Sequence, residues 1–272
     1  MLNLLKTDLK RVIKDKLFLI SCILCGVFAL IGPLLYKAVF YFMEAEMDSL
    51  QMMGMQPTAK SMLFQAFLPG GDLGLILPIL IIIALCKDFS YGTIRNKIIS
   101  GKSRVSIFLS MLITSIIIMC GLMLAQALLT FGVSLIFFEY SYVEFSLSEL
   151  GYLLISILFE LLTYVTICTI ICFLCVFMNN AGTSVVMYFA VNFALTLIGS
   201  IIMIAFSMTT ESDASHTILK IMNNTNIFTS TIIGAGTTYT LEEVLYILVP
   251  NLVFAPLLTF LGITVFKKKD LK

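Results

Sequence analysis

The chain has 272 residues, 60% hydrophobic and 12% charged, with a net charge of +1 and a mean hydropathy of +1.05. That composition excludes a soluble globular domain and describes an integral membrane protein. The near-zero net charge hides a strong segregation of charge along the chain, and nucleic-acid binding is not suggested.

Residues 1–16 carry five basic residues. Leu2, Leu5, Leu9, Val12 and Ile13 fall on one helical face, with Lys6, Lys10 and Lys14 opposite. This pattern predicts an interfacial amphipathic helix on the inner membrane surface, its leucines in the acyl boundary and its lysines among headgroups. A solvated start to the first span is the alternative. No small-residue cleavage site follows, so the first span is expected to stay in the mature chain.

Six apolar stretches then recur, over Leu17 to Phe40, Phe67 to Cys86, Val105 to Phe138, Leu150 to Met178, Thr183 to Phe206 and Leu245 to Phe266. Each is long enough as a helix to cross about 30 Å of hydrocarbon. The third and fourth exceed that length, which predicts tilt or projecting ends. Fourteen of the 17 basic residues precede span one, lie between spans two and three, or follow span six. Cytoplasmic segments carry this excess, so both termini are expected in the cytoplasm. The chain thus reads as one all-α transmembrane domain over 1–272, and the uncharged Met178 to Gly182 as a tight inner turn.

Two connections on the other side, 43–66 and 207–243, are expected to be extracellular. The first leads into Pro69, Gly70, Gly71, Gly74 and Pro78, which predict an irregular start to span two. The second contains IFTSTIIGAGTTY, too short to span; it either dips back into the outer leaflet or forms an ordinary loop. Pro250 and Pro256 predict a kink or an unwound turn in span six.

Little in the sequence points to catalysis or metal binding. His216 is the single histidine and has no second imidazole to pair with. Cys22, Cys25, Cys86, Cys120, Cys168, Cys172 and Cys175 all lie in or at the ends of apolar spans and read as small buried residues. The SGKS at 100–103 mimics the end of a phosphate-binding loop, but the required first glycine is replaced by Asn96 and no strand precedes it. Nucleotide binding, a cofactor or a metal in this chain is therefore not expected. One acid, Glu160, lies inside a span, where ionisable groups are costly. Helical steps of four and three align it with Tyr164, Cys168, Cys172 and Cys175, a face expected to meet protein. Glu160 and Tyr164 are candidates for a substrate pathway, a proton carrier or a packing interface.

Residues 87–104, KDFSYGTIRNKIISGKSR, form a basic island between spans two and three. Phe89, Ile94, Ile98 and Ile99 provide apolar packing, Gly92 permits a reversal, Thr93 is placed to cap a helix, and Arg95 and Lys97 can pair with acids on a partner. The same charges also serve simply to fix topology against lipid headgroups. The order Asp88, Gly92, Thr93, Ile94, Arg95 and a basic run resembles the cytosolic segment of ABC-2-type permease subunits of ATP-driven transporters. In that family an acid, often Glu, precedes a Gly-Thr pair between spans two and three. The six spans and the larger outer region before span six agree with it.

The resemblance implies an exporter permease in the bacterial cytoplasmic membrane, paired with a second permease copy, identical or related. ATP and Mg are then bound by a separate cytosolic ABC ATPase. It further implies that Asp88, Phe89, Tyr91, Gly92, Thr93, Ile94, Arg95 and Lys97 couple to that ATPase, and that the cargo is hydrophobic or amphipathic, such as a peptide or drug. Two other readings remain: an ion-coupled secondary transporter using Glu160, and a membrane immunity or sensor protein binding a peptide at its outer loops.

Overall fold

A computed structural model describes residues 2–42, 58–69, 71–140, 146–209, 214–226 and 238–269. Among them every regular element is a helix. In chain order these are α1 (Leu2–Ile13), α2 (Lys16–Phe42), α3 (Ala59–Phe67), α4 (Asp72–Ser90), α5 (Thr93–Ile99), α6 (Arg104–Phe137), α7 (Leu147–Met178), α8 (Ala181–Ser207), α9 (Ala214–Asn224) and α10 (Leu241–Lys268). Six of them, α2, α4, α6, α7, α8 and α10, are long and apolar enough to cross a membrane. The protein is a multi-pass membrane protein of helical architecture.

Burial separates a centre from a periphery. The apolar stretches of α7, α6 and α4 are 67%, 56% and 50% buried, against 22%, 17% and 17% for α2, α8 and α10. The central helices carry the packed core, including Phe108, Met119, Tyr164 and Ile171, while the outer ones turn residues such as Phe193, Ile201 and Phe260 outward. Such exposure is normal where lipid is the solvent. α6 and α7, with 34 and 32 residues, are about 50 Å long. They outreach a hydrocarbon core of about 30 Å.

Span two is built differently from the single apolar run over Phe67 to Cys86. Phe67 ends α3, a break follows at Leu68, and a new helix starts at Asp72 with Gly71 as its N-cap, running on to Ser90. Pro69 lacks an amide hydrogen, and Gly74 packs where no larger residue fits. A Cβ at Gly74 would lie 2.2 Å from the Leu68 carbonyl oxygen and 2.8 Å from the Tyr164 hydroxyl. α3 is held by a capping box, Thr58 with Ser61, and its first amides donate to the carbonyls of Glu139 (2.9 Å) and Tyr140 (3.0 Å) beyond α6. Its Lys60 forms a buried ion pair of 2.7 Å with Glu149 and sits over the Tyr152 ring.

The tight turn after α7 appears as Asn179 in the left-handed region (φ 57°), with Asn180 capping α8 by accepting from the Gly182 amide at 3.0 Å. The unwound turn expected at Pro250 or Pro256 does not occur: α10 runs unbroken through both. Beside Pro250, the Asn251 amide donates to the Ile247 carbonyl (2.8 Å) and accepts from the Thr166 hydroxyl (2.6 Å), tying this turn to α7. Within 207–243 the chain forms α9, where His216 packs on Phe206 at 4.6 Å. Residues 43–57 and 227–237, including most of IFTSTIIGAGTTY, lie outside the described residues.

Candidate functional site

The island 87–104 folds as the end of α4, the seven-residue α5 and the start of α6, each junction set by a glycine or a serine. Gly92 has φ +67°, closing α4 through its amide to the Phe89 carbonyl (3.3 Å) and serving as N-cap of α5. A Cβ at Gly92 would meet open space, so the dihedral alone calls for glycine. Thr93 is therefore the first helical residue rather than the cap. At the far end Gly101 (φ +82°) completes a Schellman ending: its amide donates to Ile98 (2.9 Å) and that of Lys102 to Lys97 (3.2 Å). Ser103 caps α6 by accepting from the Ser106 amide. The residues that mimic a phosphate loop thus form a helix stop followed by a helix start.

One side of α5 is committed inside the chain. Ile94 is 1% exposed, Ile98 packs on the core, and the Phe89 ring meets Phe266 edge-on at 6.4 Å. Lys97, placed by sequence reasoning toward a partner, instead pairs with Asp8 of α1 (2.7 Å) and lies 3.7 Å from Asp88. Asp88 is buried and also takes an ion pair from Arg11, whose guanidinium is 3.8 Å from Asp8. Asp8 accepts a further bond from the Ser110 hydroxyl of α6 at 2.7 Å. Two buried carboxylates and two cations therefore join α1, α4, α5 and α6. Beside them Lys87 pairs with Asp15 at 2.9 Å, and this bond holds the Asp15 carboxyl below its usual range.

The other side of α5 faces outward. Tyr91 is 77% and Ile99 74% exposed, with Arg95, Asn96, Ser100 and Lys102 exposed beside them. Of the eight residues expected to couple to a partner, only Tyr91 and Arg95 are fully outward; Gly92 and Thr93 are half-buried. Sequence reasoning missed Asp8 and Asp15. The signal for Asp8 was its spacing of three from Arg11 and four from Leu4, which makes a second stripe beside the leucine face. The lysine face of α1 is exposed, while Leu4 and Asp8 are its buried contacts with the bundle.

The same end of the bundle has two helix C-termini bound by cations. The Arg104 guanidinium donates to the carbonyls of Phe266 (3.0 Å), Lys267 (2.9 Å) and Lys269 (2.6 Å), closing α10. Lys269 Nζ donates to Val176 (2.6 Å) and Phe177 (2.7 Å), closing α7. Positive groups at the carbonyl ends of helices satisfy unpaired acceptors and oppose the macrodipole.

Deep in the bundle, the stripe from Glu160 through Tyr164, Cys168, Cys172 and Cys175 is buried. The Tyr164 hydroxyl donates to the Phe67 carbonyl at 2.6 Å and so satisfies a backbone acceptor at the break before α4. Glu160, one turn away, has no hydrogen bond or ion pair among the described residues. Cys22, unlike the other cysteines, is exposed on α2. No protein-family model, curated protein or solved structure matches the chain.

Proposed function

We propose that the protein is the membrane-spanning permease subunit of an ATP-driven exporter of the ABC-2 type, with both termini and α5 in the cytoplasm. The observation carrying this reading is the division of α5: a rigidly anchored inner side, and an outer side of Tyr91, Arg95 and Ile99 offered to a soluble partner. An exposed tyrosine at the end of α4 and an exposed arginine on α5 match the anchor residues that protein interfaces favour, with the exposed Ile99 adding apolar surface beside them. A separate ABC ATPase, binding ATP and Mg, docks there. Its closure displaces α5, and the buried charges pass the displacement to α1, α4 and α6 as one body. A second copy of the permease completes the pathway, and the cargo is a hydrophobic or amphipathic molecule such as a peptide or drug. α1 rests its lysine face against anionic headgroups.

The test is co-purification of tagged protein from its own membranes, comparing wild type with an Arg95→Glu, Ile99→Ser variant at equal expression. Both changes lie on the exposed side, so folding is retained. Recovery of a soluble ATPase with wild type alone supports the reading; no ATPase with either overturns it. The burial of Glu160 without a partner among the described residues favours one second reading, an ion-coupled transporter. In that case Glu160→Gln abolishes proton-driven uptake in vesicles that lack any ATPase.

A further inference from the structure

A cavity of about 230 Å³ lies between α2, α3 and α6, beside the break at Leu68. Its mouth is formed by the exposed Leu35 and Leu68, and its floor includes the buried Thr130. The Thr130 hydroxyl, 5% exposed at residue level, finds no partner among the described residues. Buried polar groups at membrane depth are normally bonded, so this hydroxyl at the cavity wall calls for something to bond. On the opposite wall the Gln65 side-chain amide donates to the Tyr36 hydroxyl, which leaves the tyrosine O–H and the Gln65 carbonyl for a ligand. Gly32 lines the α2 wall, and a Cβ there would meet nothing within 4 Å.

From this cavity we infer that the protein holds a site for the uncharged, hydroxyl-rich headgroup of an amphiphile, its acyl chain leaving past Leu35 and Leu68. Among the described residues no charged side chain lines the cavity, so an ionised headgroup would find no counter-charge on them. The wall supplies both donors and acceptors, which suits a diol better than a hydrocarbon. The volume equals roughly seven to eight water molecules at about 30 Å³ each, room for a small polyol and too little for a whole drug-sized molecule. The site is separate from α5 and stands whether or not the chain works with an ATPase.

The chain has no tryptophan, so Phe28→Trp places a single reporter in the cavity wall. Purified full-length protein in detergent is titrated with dibromostearoyl glycerol, and separately with dibromostearic acid at a pH where it is ionised; bromine quenches the indole on contact. Saturable quenching by the glyceride but not by the acid is expected. Thr130→Val, the same shape without the hydroxyl, should weaken it about tenfold, and Gly32→Leu, which adds bulk at a lining position and removes no polar group, should abolish it. Unsaturable quenching that is equal for both probes overturns the proposal and leaves only bulk detergent or water in the cavity. So does quenching unchanged by Gly32→Leu, even if the Thr130 variant proves unstable.

Discussion

Asp8 and Asp88 are each at most 4% exposed, yet each has cations on it, and the balance of two acids against Arg11 and Lys97 is what allows their burial. Removing one member leaves a charge that burial penalises, at about 3–5 kcal/mol. Asp8→Asn and Lys97→Met should each lower the unfolding temperature in detergent, and the double variant should recover a large part of either loss. Two losses that simply add would show that the pair is not coupled. Asp15 gives a pH-dependent counterpart. Its carboxyl lies below the ordinary value chiefly because Lys87 bonds the ionised form. A depressed acid stabilises the fold above its unfolded pKa, and that contribution disappears as pH falls through the folded value. Wild type should therefore lose stability in this acidic window more steeply than Lys87→Met, as followed by melting at stepped pH. Gly92 is a purely conformational case: alanine there has space but must hold φ +67°, at about 1–2 kcal/mol.

α3 and α4 form one interrupted span whose break is closed by a residue from another helix. Tyr164→Phe keeps the ring but strips the Phe67 carbonyl of its donor in a place without water, at about 1–3 kcal/mol. The same melting measurement checks this, and a loss near zero would mean that the carbonyl bonds elsewhere. The six spans were legible because twenty apolar residues in a row have few other destinations. The irregular entry to span two was legible from Pro69 and the glycines. The helical and buried character of α3 was not, because it depends on Lys60 meeting Glu149, 89 residues away, which no local pattern announces. In the basic island the need for glycine at 92 was readable, since a reversal there needs a positive φ. The division of α5 was not: seven residues make barely two turns, and Asp8, on a separate helix, decides that Lys97 turns inward while Arg95 turns outward. At Pro250 and Pro256 the sequence predicts a kink or an unwound turn; the unwound turn does not form, and Asn251 bonds Ile247 and Thr166 beside Pro250.

Charge is partitioned across the whole molecule as strictly as apolar surface is. One end gathers α1, α5 and the α6 and α10 termini with most of the lysines and arginines, and even its helix C-termini are closed by Arg104 and Lys269. Among the described residues, the opposite end buries the cation Lys60 against Glu149 and starts α10 with the acids Glu242 and Glu243. Basic segments are generally retained on the cytoplasmic side, and the proposed orientation rests on this asymmetry. Sidedness in turn decides whether α5 meets an ATPase at all, since ATP is cytoplasmic. Lys102→Cys and Glu242→Cys place exposed thiols at the two ends, against native cysteines that are mostly buried. A membrane-impermeant maleimide added to intact cells should label the Glu242 variant at once and the Lys102 variant only after permeabilisation. The reverse pattern would put Tyr91, Arg95 and Ile99 outside the cell, where no cytosolic ATPase reaches them. The ion-coupled reading built on Glu160 would then stand in its place.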